Sequence, residues 1–204
     1  MYKNWEKGRS MIEMLGVLAI IAVLSVGGIA GYSKAMSKFK LNQAVKDYTY
    51  VTQNILEQSD NLTKSTTSSL TEICLSMNII PPTWTLSRVT NIGKVFADNL
   101  GNSVDIFKDN TNNLYMEIYL DGIKNKSALY NHTCTMLLND FVIPMHAALK
   151  ELLFWNSVIG YSYYTGDGYF SEEYKPIKDL TLTEIQELCK NCEKRCSIVL
   201  TFKN

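Results

Sequence analysis

Net charge is what this sequence most plainly lacks. Its 20 Lys and Arg balance its 20 Asp and Glu, so it has no basic footprint for nucleic acid, and no nucleic acid contact is expected. Histidine is scarce, with only His132 and His146. No metal-binding His pair, nucleophile elbow, phosphate loop or carboxylate dyad occurs, so neither catalysis, a cofactor nor a metal is expected. Proline is also scarce, and the first of the 4 is Pro81. Nothing of that kind breaks a helix in the first eighty residues.

Charge is missing most of all between Met11 and Gly31, where Glu13 is the only ionisable side chain. About twenty apolar residues match a hydrocarbon core of roughly 30 Å. An acid deep in a membrane helix costs about 2.5–3.5 kcal/mol and calls for a partner. The pattern therefore describes a helix that sits in a membrane first and packs against copies of itself later. A cleaved secretory signal fits less well. The apolar core is too long, and the helical pattern runs straight through the small residues Gly27, Gly28, Ala30 and Gly31 that could mimic a cleavage site. Lys3, Lys7 and Arg9 precede the span, and Lys34, Lys38 and Lys40 follow it. Charge alone gives orientation as a near tie, and an inward N-terminus is allowed.

Three parts follow along the chain. Residues 1–8 form a short polar leader. Residues 9–60 predict one helix, apolar all round at first and then amphipathic. Phe39, Leu41, Ala44, Val45, Tyr48, Val51, Ile55 and Leu56 make its apolar stripe, at spacings of three and four. Residues 61–204 predict a globular α+β domain, introduced by a Ser/Thr-rich linker over 59–70. Turns are expected at Pro81-Pro82, over 99–102, over 109–113 and at Asp121-Gly122. Strands are expected over 103–107, 114–120 and 197–202. Residues 127–155 read as helical with a break near Pro144, and Thr181 with Glu184 reads as a capping box opening a short helix. A long helix packed on an antiparallel β-sheet is the simplest two-layer solution. Asn61 and Asn131 head chance glycosylation sequons. Trp155 and the aromatic stretch 161–170 read either as an exposed surface for subunit contact or adhesion, or as ordinary hairpin core and loop.

Gly8, Glu13 and the apolar run resemble the class III leader and N-terminal helix of type IV pilins and pseudopilins. The resemblance implies that a prepilin peptidase cuts between Gly8 and Arg9 and that Arg9 becomes the methylated N-terminus. Glu13 then falls at the family's assembly position, where it meets the positive N-terminus of a neighbouring subunit. An ion pair in a low-dielectric bundle favours one stagger of helices, because a bare charge there is costly. Residues 77–81 followed by 99–104 resemble type IVb, PilS-like pilins, with Asn102 standing where a second glycine is usual. Arg9 departs from the family's apolar or aromatic preference. The family's kinking proline is absent, and Gly27, Gly28 and Gly31 could supply flexibility instead. The implied fold is pilin-like. The implied partners are the prepilin peptidase, other pilin subunits, the pilus assembly platform and the bacterial inner membrane. The implied location is that membrane before assembly, single-pass with the N-terminus inside, and afterwards the periplasm or a surface pilus or type II secretion pseudopilus.

Five cysteines remain: Cys74, Cys134, Cys189, Cys192 and Cys196. The spacing of the last three could suggest a metal or redox site, which makes a membrane-anchored periplasmic redox or metal-binding protein the alternative reading. Zinc wants four ligands, and only the two histidines offer help. A reactive thiol wants a helix N-terminus, whereas these lie near a helix C-terminus. Structural disulfides in an oxidising compartment are the plainer reading, with connectivity left open by the sequence. The order Cys134, Cys189, final strand resembles the pilins' disulfide-bounded C-terminal region and so implies a Cys134–Cys189 bridge, with Cys192–Cys196 as a local possibility.

Overall fold

The computed structural model describes residues 11–90, 93–121, 127–169, 171–190, 192 and 195–203. The leader, Gly8 and Arg9 lie outside these residues. The chain divides into two compact units, one running to Phe39 and the other Lys40–Asn204. Helix α1, Met11–Glu57, contributes to both. In the first unit α1 is apolar and uncovered, with Leu18, Ile21, Leu24 and Ile29 all exposed. Among the described residues it is the one helix long and apolar enough to cross a membrane.

In the second unit α1 turns amphipathic, and Leu41, Ala44, Tyr48, Val51 and Ile55 are buried in the core. These positions belong to the predicted stripe, and Val45 and Leu56 flank it half-buried. Phe39 falls in the first unit and is exposed. After Glu57 the chain makes a short helix α2, Ser59–Thr63. The expected linker is thus partly helical, and it is tied down. Leu62 and Leu70 are fully buried, and Ser69 bridges to Phe107. Two leucines among polar residues suffice to pull the segment onto the core, since each buried leucine side chain contributes about 1.5–3 kcal/mol.

Helix α3, Thr71–Ser76, leads into eight strands: β1 Thr85–Thr90, β2 Gly93–Ala97, β3 Ser103–Lys108, β4 Leu114–Tyr119, β5 Leu149–Asn156, β6 Gly160–Thr165, β7 Lys175–Pro176 and β8 Cys196–Phe202. They form one sheet in the order β1-β2-β3-β4-β8-β5-β6-β7. Every pairing is antiparallel except β6 with the two-residue β7. The fold class is therefore α+β with a mixed, mainly antiparallel sheet. Alternation places Val104 and Ile106, Leu114, Met116 and Ile118, Leu152 and Phe154, and Ile198 and Leu200 in the core. The final strand is inserted between β4 and β5, so the end of the chain occupies the centre of the sheet.

The expectation of helix over 127–155 needs correction. Helix α4 covers Ser127–Met136, a π-helical stretch covers Leu137–Val142, and β5 starts at Leu149. A bulge between Leu149 and Glu151 shifts the register against β8. It turns both Leu149 and Leu152 inward, three apart, which imitates a helical spacing in the sequence. The loop after β6 returns against the same bulge. A Cβ on Gly166 would come within 1.7 Å of the Leu149 carbonyl oxygen, so only glycine fits that approach.

Candidate functional site: the apolar helix and the cysteine cluster

In the first unit, Glu13 is the third residue of α1, within its first turn. The next turns present Met14, Leu15, Leu18, Ile21, Leu24 and Val26, all exposed. Gly16, Gly27, Gly28 and Gly31 have nothing near the place a Cβ would occupy. Gly27 and Gly31 stand four apart, the small-residue spacing that lets helix backbones approach closely in a membrane. Sequence reasoning took these glycines for flexibility and missed this spacing, although it is legible in the sequence. The uncovered rod can bury its surface in lipid or against other helices.

In the second unit, a buried polar network fixes α1 to the turn between β2 and β3. The Tyr48 hydroxyl donates to Asp98 Oδ2 at 2.8 Å. Asp98 also accepts from Leu100 N at 2.8 Å and from Asn102 N and Nδ2 at 2.7 and 2.9 Å. Burial pushes the Asp98 carboxyl above its ordinary range, while the hydrogen bonds from Tyr48 and Asn102 pull it back. The Tyr48 ring packs edge-on to Trp84 and stacks on Phe141. Asn102 thus donates to Asp98 from both its backbone and its side-chain nitrogen. Gly101, with φ of 87°, makes the turn itself. A companion carboxylate, Asp47, accepts from Gln43 and Thr83.

The cysteines converge. Cys134 on α4 is bonded to Cys189, the last residue of helix α5, Leu182–Cys189, and Cys192 is bonded to Cys196 at the start of β8. Cys192 Sγ lies 3.8 Å from Cys134 Sγ, so the two bridges touch. All four cysteines are buried. Asn156, itself buried, donates from Nδ2 to the carbonyls of Leu188 and Lys190 and so holds the C-terminal end of α5. Cys74 is free and buried, and burial pushes its thiol up to about 12. Helix α5 opens with the expected capping box of Thr181 and Glu184.

The aromatic stretch divides by strand alternation. Tyr161 and Tyr163 are exposed on β6, near Tyr174, whereas Tyr164 packs on the core. Trp155 is half-buried, and Phe170 lies outside the described residues. His146 Nδ1 lies 3.1 Å from Asp167. Among the described residues no three His, Cys, Asp or Glu side chains are grouped so that they could hold a metal ion. No family model matches this chain, and no curated protein or solved structure matches it either.

Proposed function

We propose that this chain is a type IV pilin-like structural subunit, processed by a prepilin peptidase and assembled into a pilus or pseudopilus filament. The observation that carries this reading is α1. Its first unit exposes an apolar surface on every side with one acid in its opening turn. A bilayer satisfies that surface but not the acid. A stack of identical rods satisfies both, if each Glu13 meets the amine that cleavage after Gly8 would create on a neighbour. Head-to-tail packing of this kind does not close, so it propagates into a filament. The disulfides support residence of the second unit in an oxidising compartment, hence the N-terminus inside and the domain in the periplasm before extraction. The assembly platform, the inner membrane and other copies of the subunit are the partners this reading requires.

Glu13→Ala tests it. In a host carrying the processing and assembly machinery, the variant should mature and reach the membrane normally yet be absent from sheared filaments. Normal filament yield with Glu13→Ala would remove the ion pair from the reading.

A further inference from the structure

Past its apolar run, α1 continues uncovered through residues 32–39, Tyr-Ser-Lys-Ala-Met-Ser-Lys-Phe. Tyr32, Met36 and Phe39 stand four and three apart and so share one stripe. All three are exposed, Tyr32 at 68% and Phe39 at 65%. Helical period places this stripe about 130° around α1 from the stripe of Leu41, Ala44, Tyr48, Val51 and Ile55 that enters the core. It is therefore a separate apolar face. Lys34 and Lys38 stand one turn apart, roughly opposite it, and both are exposed.

Charge on this stretch has one sign. Between Met14 and Lys46 the chain carries four lysines, Lys34, Lys38, Lys40 and Lys46, and no acid. Several lysines of the second unit are paired: Lys94 with Glu72, Lys175 with Glu184, Lys178 with Asp167, and Lys108 with the Thr63 carbonyl. Among the described residues neither Lys34 nor Lys38 has an ion pair or a side-chain hydrogen bond. Their depth follows from helical rise. A hydrocarbon core of roughly 30 Å takes about twenty residues, which residues 11–31 supply. Lys34 then lies about 5 Å beyond the core and Lys38 about 10 Å. The headgroup layer is about 5–8 Å thick on each side, and a long lysine stem lets the ammonium reach back along the helix. Tyr32 falls at the boundary, where tyrosine is favoured.

We propose that Lys34 and Lys38 form a binding site for the headgroup phosphate of anionic phospholipids at the far end of the span. The apolar run brings the pair to headgroup depth, and its uncompensated positive charge selects the anionic lipid. Bound this way, the pair fixes the depth of α1 in the bilayer. The inference rests on α1 crossing a membrane and not on filament assembly.

The test reconstitutes the full-length chain into vesicles of phosphatidylcholine and phosphatidylglycerol in equal parts, with protease protection reporting the span. Spin-labelled phosphatidylglycerol and phosphatidylcholine, added one at a time, report which lipid the chain retains beside it. A lysine close to an anionic membrane surface strengthens the attraction about fivefold. Lys34→Gln/Lys38→Gln should therefore lower the preference for phosphatidylglycerol at least about fivefold at low salt. Lys34→Arg/Lys38→Arg should keep the preference, as should Lys64→Gln, an exposed lysine outside α1. Salt near 1 M, where the screening length is about 3 Å, should erase the contribution of the pair. Lys3, Lys7 and Arg9 before the span are the same in every chain, so the differences report Lys34 and Lys38. An inserted chain whose lipid preference the double glutamine substitution leaves unchanged would overturn the proposal and leave the spanning reading intact. If that substitution instead reduced crosslinking between chains, the lysines would belong to a contact with a second copy. A chain that does not insert would overturn the proposal together with the spanning reading.

Discussion

Tyr48→Phe isolates the bond that fastens α1 within the second unit. The substitution keeps the ring and its contacts with Trp84 and Phe141, at centroid distances of 5.3 and 5.4 Å. It deletes only the hydroxyl that donates to Asp98 at 2.8 Å. Asp98 is 5% exposed, so water does not readily replace the lost donor. A hydrogen bond to a charged group contributes about 1.5–3 kcal/mol. Three donors to Asp98 remain, from Leu100 and Asn102, which favours the middle of that range, about 2 kcal/mol. For a unit of this size that corresponds to a fall of about 4–8 °C in Tm. The loss should also depend on pH. Burial holds the Asp98 pKa above its ordinary value, and the Tyr48 bond partly offsets that. A folded pKa that is raised gives a contribution present below the ordinary carboxylate range and lost as pH rises through the folded value. Removing the hydroxyl raises the folded value further, so the Tyr48→Phe penalty should grow as pH climbs through that titration. Urea unfolding across a pH series measures both quantities, with Tyr50→Phe as a control. The Tyr50 hydroxyl donates to the Asn78 carbonyl at an exposed site, and its loss should change stability by less than about 0.5 kcal/mol. A Tyr48→Phe penalty no larger than the control's, or one flat with pH, would refute the reasoning.

The two bridges should differ in worth. Cys134–Cys189 spans 55 residues and Cys192–Cys196 spans 4, so loop entropy gives about 4 and about 2 kcal/mol respectively. Paired alanine substitutions and denaturant unfolding would show whether the long bridge is the stronger. Glu184 should report the capping box. Hydrogen bonds from Lys175 and then Thr181 hold its carboxyl down at about 2, so its contribution is present above the usual glutamate range and lost as pH falls toward that value. Thr181→Ala should raise the Glu184 titration midpoint seen by NMR, and an unchanged midpoint would show that the threonine plays no part.

The sequence was most legible where one physical demand acted alone. The apolar run of α1 needs no tertiary partner to be recognised, and the stripe from Leu41 to Ile55 follows helical period because one face meets one core. The Thr181–Glu184 box is local chemistry, and so it was visible before any fold was known. Strand β5 was not. Its bulge puts Leu149 and Leu152 on one side, and a strand with a slipped phase carries the same pattern as a short helix. The β1–β2 hairpin was not anticipated either. The convergence of Cys134 with the C-terminal cysteines depends on how α4 packs against α5, and no spacing in the sequence encodes that contact. The Tyr48–Asp98–Asn102 network was hidden for the same reason, since its members are brought together only by the fold.

The most direct measurement is the mass of the mature N-terminal peptide, from filament or membrane fractions, in hosts with and without the prepilin peptidase. Filament assembly through Glu13 requires a chain that begins at a methylated Arg9 when the peptidase is present and retains Met1 when it is absent. Residues 1–8 still attached in both hosts would leave Glu13 without its partner amine and would contradict the proposed function.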